Sequence, residues 1–144
     1  MDWPEREYKF ETRHEYPHML PRDAVIWERF IIKNPDRFIS CLYDLHVGDG
    51  AKPEDDTPPG TAYAWTRLTQ WRADVAAWDG QTLFIIEVKP DAKASAVGQA
   101  LGYKILAQDN LKLAIPIIPV VLTDICAAET ERFAKAVGVE VWCA

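Results

Sequence analysis

The chain has 144 residues, 49% of them apolar, which suits one compact domain with a real core and excludes a disordered chain. Sixteen Lys and Arg stand against 22 Asp and Glu, a formal net charge of −6, which counts against unaided, tight nucleic-acid binding but does not exclude a nucleic-acid enzyme, since a local basic patch, a divalent cation or a partner subunit could supply the attraction. No apolar run reaches the roughly 18 residues that span a bilayer, no apolar leader follows the N-terminus, and Cys41, Cys126 and Cys143 are odd in number without CxxC spacing, so no membrane segment, reduced thiols and a cytoplasmic setting are expected.

Residues 1–20 mix charge with Trp3, Tyr8, Phe10 and Tyr16 and show no period; they read as an N-terminal arm ahead of a single domain over 21–144. The arm either docks on a partner or wraps its own domain. The first helix is predicted from Pro21, a residue suited to the first helical position, to Lys33, where Asn34-Pro35 ends it. Arg37 to Val47 reads as a strand and Gly48 to Gly60 as a solvated loop carrying Glu54-Asp55-Asp56. Tyr63 to Trp78 and Gln81 to Lys89 read as two strands joined at Asp79-Gly80, a strong hairpin signal. Ala92 to about Ala107 reads as a helix. Ile115 to Leu122 is a buried strand whose two prolines suggest an irregular start or an edge. Thr123 or Asp124 caps a helix over Ile125–Val137, Gly138 ends it, and Val139–Cys143 closes as a strand. The order implies an α/β (α+β) domain, a mixed sheet flanked by helices.

The hairpin carries the chemistry. With a two-residue turn at Asp79-Gly80, Trp78 faces Gln81, Asp74 faces Ile85 and Arg72 faces Glu87. Alternation then puts Asp74, Ile85, Glu87 and Lys89 on one face, with Asp74 and Glu87 diagonal neighbours about 7–8 Å apart. Two charges in a run such as Leu-Phe-Ile-Ile-Glu-Val-Lys are costly near a core unless paired or metal-bound. A pair of carboxylates suits Mg²⁺, which polarises a phosphodiester and acidifies a bound water; Lys89 would orient that water, help deprotonate it or stabilise phosphoryl charge. The competing reading is an ion pair of Glu87 with Lys89 or Arg72 at the end of the sheet.

On the first helix Ala24, Val25, Ile31 and Ile32 form an apolar stripe with Glu28 in its middle, so Glu28 is expected to face the sheet as a third carboxylate, or else to pair at the helix edge. On the second, Ala96, Gln99, Ala100, Tyr103 and Ala107 share a face, with Gln99 and Tyr103 offering polar tips beside the hairpin. Arg67, Arg72, Lys93 and Lys104 are candidate phosphate contacts, each otherwise a solvated charge. His14, His18 and His46 lie at no metal-ligand spacing.

Asp74, twelve intervening residues, Glu87-Val88-Lys89 and the helix segment Gln99-Ala-Leu-Gly-Tyr103 together resemble the PD-(D/E)xK nuclease superfamily. The resemblance implies a restriction-endonuclease-like αβββαβ core over about residues 21–122, followed here by a further helix and strand. It implies that Asp74 and Glu87 bind Mg²⁺ or Mn²⁺ and that Lys89 assists catalysis. Glu28 would match the acidic residue of the family's first helix, Gln99 the polar position of the second, and Tyr103 would support it. Ala73 stands where the family name has proline. The segment Ile86-Glu-Val-Lys-Pro90 also looks like the endonuclease subunit of heteromeric transposases, and the small size looks like junction resolvases and the head-completion nucleases of tailed phages. The expected function is Mg²⁺-dependent hydrolysis of DNA. The alternative is a nuclease-fold structural subunit of a phage virion, at the neck, with weak, conditional or no catalysis. Expected partners are DNA and other protein subunits, as a complex or a homo-oligomer, in the cytoplasm of a cell or host, or in a virion.

Overall fold

The computed structural model describes residues 5–112 and 114–144; Trp3 of the predicted arm lies outside them. A mixed six-stranded sheet is flanked by four helices, in the order β1 (Glu7–Lys9), α1 (Pro21–Lys33), β2 (Ser40–Val47), α2 (Pro59–Thr69), β3 (Trp71–Trp78), β4 (Leu83–Ala92), α3 (Ala94–Leu111), β5 (Ile117–Cys126), α4 (Ala128–Ala136) and β6 (Glu140–Cys143). The strands lie side by side in chain order. β1 to β4 pair antiparallel, whereas β4–β5 and β5–β6 are parallel and are bridged by α3 and α4, as parallel neighbours require.

α1 has its predicted bounds: Pro21 occupies the first turn, and the Asn34 side chain and backbone N–H both donate to Phe30 O at the other end. Its buried stripe differs from the predicted one. Asp23, Ile26, Trp27, Phe30 and Ile31 face the sheet, while Val25 and Ile32 point to solvent. The helix is turned by about one residue because the two tandem aromatics, Trp27 and Phe30, bury more area than Val25 and Ile32. They pack with Tyr43, Val75, Ile86, Val88, Val120 and Leu122 on one face of the sheet. The other face, with Leu45, Val47, Ala76, Ile85 and Ile117, is covered by Tyr103 and Ala107 of α3. Ala96, Val97 and Ala100 seat α3 close to Val121, Ala134 and Val139. β4 is therefore buried on both faces, which explains its continuous apolar run.

Three expectations are corrected. Residues 59–69 form α2, not the first half of a strand; Tyr63, Trp65 and Leu68 mimic strand composition, yet no α2 residue is buried. The helix begins after Pro58 with Pro59 in its first turn, the start signal that the aromatic composition outweighed. The β3–β4 connection spans Asp79–Thr82, because Trp78 pairs Leu83. Asp79 Oδ1 accepts the N–H groups of both Gln81 (2.8 Å) and Thr82 (2.7 Å), stabilising the longer loop. Neither Thr123 nor Asp124 caps α4: both continue β5, and Ala127 holds the cap position without a side-chain bond. The two prolines of the predicted strand mark its irregular start, since Pro116 precedes β5 and Pro119 sits where β6, pairing only from Val120 onward, leaves the edge open. The described part of the arm wraps its own domain, with β1 on the edge of β2 and Phe10 and Tyr16 in the core.

Candidate active site

The longer loop changes the register of the hairpin. The last rungs between β3 and β4 pair Ala76 with Ile85 and Val75 with Ile86, so Asp74 and Glu87 are the first residues past the last rung, near enough for the charge of Asp74 to act on Glu87. That level is where the two strands part: β3 continues with β2 to Trp71, and β4 continues with β5 to Ala92. Asp74 marks the parting. Its Oδ2 accepts the Val88 N–H at 2.8 Å, doing for that buried donor what a strand carbonyl would have done.

Glu87 is 4% exposed, and its Oε2 is buried with no hydrogen-bond partner. Lys89 Nζ lies 3.5 Å from Oε1, and the Tyr103 hydroxyl stands beside the same carboxylate. Burial, and then the charge of Asp74, push the Glu87 carboxyl above its usual range, against the opposing pull of Lys89. Burial likewise raises Asp74, opposed by the Val88 N–H, with Asp23 adding to the rise. The Tyr103 phenol is raised by burial and by Glu87. Gln99 lies one turn before Tyr103 on α3, and its Oε1 is a second buried acceptor without a donor. A buried carboxylate pair in which the charge of Asp74 keeps the proton on Glu87, with Glu87 Oε2 lacking a donor, defines a spot deficient in positive charge.

The residues predicted for the site are thus partly brought together. Asp74, Glu87, Lys89 and Tyr103 meet at the parting and the α3 face that covers it, while Gln99 lies one turn before Tyr103 on the same helix with no contact to them resolved. Glu28 does not join them. Its Oε1 accepts the Tyr16 hydroxyl at 3.1 Å, beside the arm, because the rotated α1 stripe turns it away from the hairpin. The α1 carboxylate that does feel the site is Asp23, 8% exposed, raised by burial and lowered by Lys89. Shifting the α1 stripe by one residue would have found it. Among the described residues no group of three or more His, Cys, Asp and Glu is arranged to hold a metal, so the acidic centre is a pair rather than a triad.

Arg72, predicted to face Glu87, bonds Asp44 instead, with Nε to Oδ1 at 2.7 Å and Nη2 to Oδ2 at 2.9 Å; it leaves the carboxylate pair unblocked. Lys93 is exposed and pairs Asp91 at 3.1 Å, whereas Lys104 is half-buried on α3. Beside Lys89 opens a cleft of about 550 Å³ lined by Leu20, Pro21, Arg22, Asp23, Pro90 and Asp91. On the other flank the Trp71 ring meets Tyr103 edge-on with centroids 6.1 Å apart, over Gly102, where any Cβ would overlap that ring.

No family model matches the chain, and no curated protein matches it. Solved structures do. A repair endonuclease from Pyrococcus abyssi aligns with 92% of this chain and 49% of its own at 15% identity and TM-score 0.53. EndoMS in complex with double-stranded DNA aligns with 92% of this chain and 48% of its own at 16% identity and TM-score 0.50. A protein of unknown function, AF1548, aligns with 85% of this chain and 57% of its own at 11% identity and TM-score 0.53. The chain therefore has the mixed α/β fold of the Pyrococcus abyssi repair endonuclease and of EndoMS, and spans about half the length of each. No described helix is long and apolar enough to cross a membrane.

Proposed function

We propose that this chain is a metal-dependent endonuclease domain that hydrolyses phosphodiester bonds in DNA. The observation that carries the reading is the buried Asp74–Glu87 pair at the parting of β3 and β4, with Glu87 Oε2 unpartnered and Lys89 3.5 Å from its other oxygen. Two hard oxygen donors in a charge-deficient spot fit Mg²⁺ or Mn²⁺, and Asp74 and Glu87 would hold the ion. Such an ion supplies Lewis-acid polarisation of a phosphodiester and offsets the negative charge of both protein and substrate.

The chain's own residues do the rest. Val88 N–H fixes the Asp74 carboxylate, so its free oxygen keeps a set direction. Burial excludes water from Glu87 and strengthens every charge interaction at the spot. Lys89, 40% exposed, reaches from Glu87 to the cleft lined by Asp23 and Pro90, where its ammonium stabilises charge developing on phosphoryl oxygens. The Tyr103 hydroxyl flanks the Glu87 carboxylate from α3, and Gln99, one turn before it on that helix, would add a polar group on the same side. The fold shared with two repair endonucleases, one solved on duplex DNA, supports DNA as the substrate class.

The test is incubation of the purified protein with supercoiled plasmid in Mg²⁺ or Mn²⁺, beside Glu87→Gln and Lys89→Ala. Nicking that requires the ion and is lost in both variants is expected. Absence of cleavage by the wild type, or cleavage that survives both substitutions, overturns the reading; the first result leaves a non-catalytic nuclease fold of the kind found in structural subunits.

A further inference from the structure

The centre of β2 contains a strained residue. Asp44 has φ +55°, in the left-handed region that non-glycine residues visit only at a cost, and it does so in mid-strand. The register with β3 is the same on both sides, Tyr43 with Val75 and Leu45 with Ala73, so no extra residue has been inserted. The twist instead exchanges faces. Cys41 and Tyr43 lie in the α1-side core, whereas Leu45 and Val47 lie in the α3-side core. The level at which this happens is that of Asp74, one strand away from the carboxylate pair.

The strain aims a carboxylate. Asp44, 15% exposed, accepts the side-on edge of Arg72 through both oxygens, and His46 Nε2 (3.3 Å) and His18 Nε2 (3.8 Å) also reach Oδ2. His46 is itself anchored, its Nδ1 3.0 Å from Arg67 O of α2. Pairing through Nε and Nη2 leaves the end-on edge of the guanidinium, Nη1 with the second Nη2 proton, without a hydrogen-bond partner among the described residues; the side chain is 42% exposed. That edge matches two oxygens of a phosphate. Arg72 stands three residues beyond the last β3–β4 rung, as Lys89 does on β4, so each of the two strands that part at Asp74 and Glu87 carries one cation three residues past that rung.

We propose that Arg72 grips a backbone phosphate of the substrate strand with its free edge, across the parting from Lys89, and that Asp44 is the positioning residue that holds it there. This rests on the reading of the Asp74–Glu87 level as a phosphodiester site and adds to it the residue that sets strand placement. The side-on pair fixes a long side chain before substrate arrives, so the ordering entropy of an arginine is not charged to binding. His18 and His46 stay on Asp44 when Arg72 shares itself with a phosphate, so the carboxylate is not left alone.

Binding of a fluorescently labelled DNA duplex in Ca²⁺, measured across a salt series, tests this beside cleavage kinetics in Mn²⁺. Arg72→Gln is expected to weaken binding about tenfold or more, to reduce the salt slope by about one, and to raise KM far more than it lowers kcat. Arg72→Lys keeps the slope but loses part of the affinity. Asp44→Asn weakens binding less than Arg72→Gln, and the double variant is no weaker than Arg72→Gln alone, because Asp44 acts through Arg72. An unchanged slope in Arg72→Gln, or effects of Asp44→Asn and Arg72→Gln that multiply, overturns the proposal while wild-type cleavage still supports the nuclease reading. DNA binding that depends on Arg72 without any cleavage keeps the grip and removes the enzyme. A wild type that neither binds nor cleaves removes both.

Discussion

Replacing Glu87 with Gln should stabilise the metal-free protein. A buried carboxylate facing a second carboxylate costs stability once ionised, and Glu87 carries both penalties: burial first, the Asp74 charge second. The sign follows from linkage. Both carboxyls have folded-state pKa values above their unfolded ones, so the folded chain holds more protons, and stability is lost as pH climbs from the ordinary carboxylate range, near about 4, through the raised values. Each unit of upward displacement costs about 1.4 kcal/mol. Lys89 at 3.5 Å returns part of this, but it is 40% exposed and its pull is screened by solvent. With that pull included the Glu87 carboxyl is still pushed up to about 8, so Glu87→Gln should gain on the order of 3 kcal/mol at neutral pH, at about 3–4 °C of melting temperature per kcal/mol for a chain of this size. Thermal melts in a chelator from pH 4 to 8 would show it: equal stability at the acid end, and a widening gap in favour of the variant above. A Glu87→Gln protein less stable than wild type at neutral pH would refute the reasoning, since it would make the Glu87–Lys89 contact a stabilising ion pair and the site a structural one.

Asp74 has two separable tasks. Asp74→Asn keeps an oxygen for the Val88 N–H and should fold nearly as well as wild type, whereas Asp74→Ala leaves that donor unpaired and should lose about 1–3 kcal/mol in denaturant titrations; both should abolish cleavage. Glu28→Gln should leave cleavage within about twofold of wild type, because a carboxylate engaged by Tyr16 does no work at the hairpin, while Asp23→Asn should lower the cleavage rate in the same assay by about tenfold, a charge-pair loss of about 1.4 kcal/mol. Tyr43→Phe removes the acceptor of the buried Trp27 indole N–H (2.9 Å) and should cost about 1–3 kcal/mol of stability with cleavage by the folded protein unchanged.

The order of elements was largely legible in the sequence, because proline at helix starts, Asn34-Pro35, the apolar run of β4 and the small-residue face of α3 each have one good structural solution. The acidic pair and its lysine could be located from a charge-bearing run flanked by a turn. Their geometry could not, because the register depended on whether the Asp79 side chain would bond Gln81 and Thr82, an energy of about 1 kcal/mol per bond that composition does not display. Glu28 and Asp23 exchanged places for a related reason: the orientation of α1 is decided by how Trp27 and Phe30 fill the core against Tyr43 and Trp142, a tertiary matter. α2 was hidden because its aromatic residues are exposed rather than packed, so its pattern carries no helical stripe. Nothing local in the sequence foretells the positive φ of Asp44 or its hold on Arg72, 28 residues further along the chain.

Divalent-ion uptake tests the central claim most directly. Titration of Mn²⁺ into the protein, followed by calorimetry and by the loss of the free-ion paramagnetic resonance signal, should reveal one site per chain that Asp74→Ala and Glu87→Ala each remove and that Glu28→Gln leaves intact. No uptake by the wild type, or uptake indifferent to Asp74 and Glu87, would contradict the account.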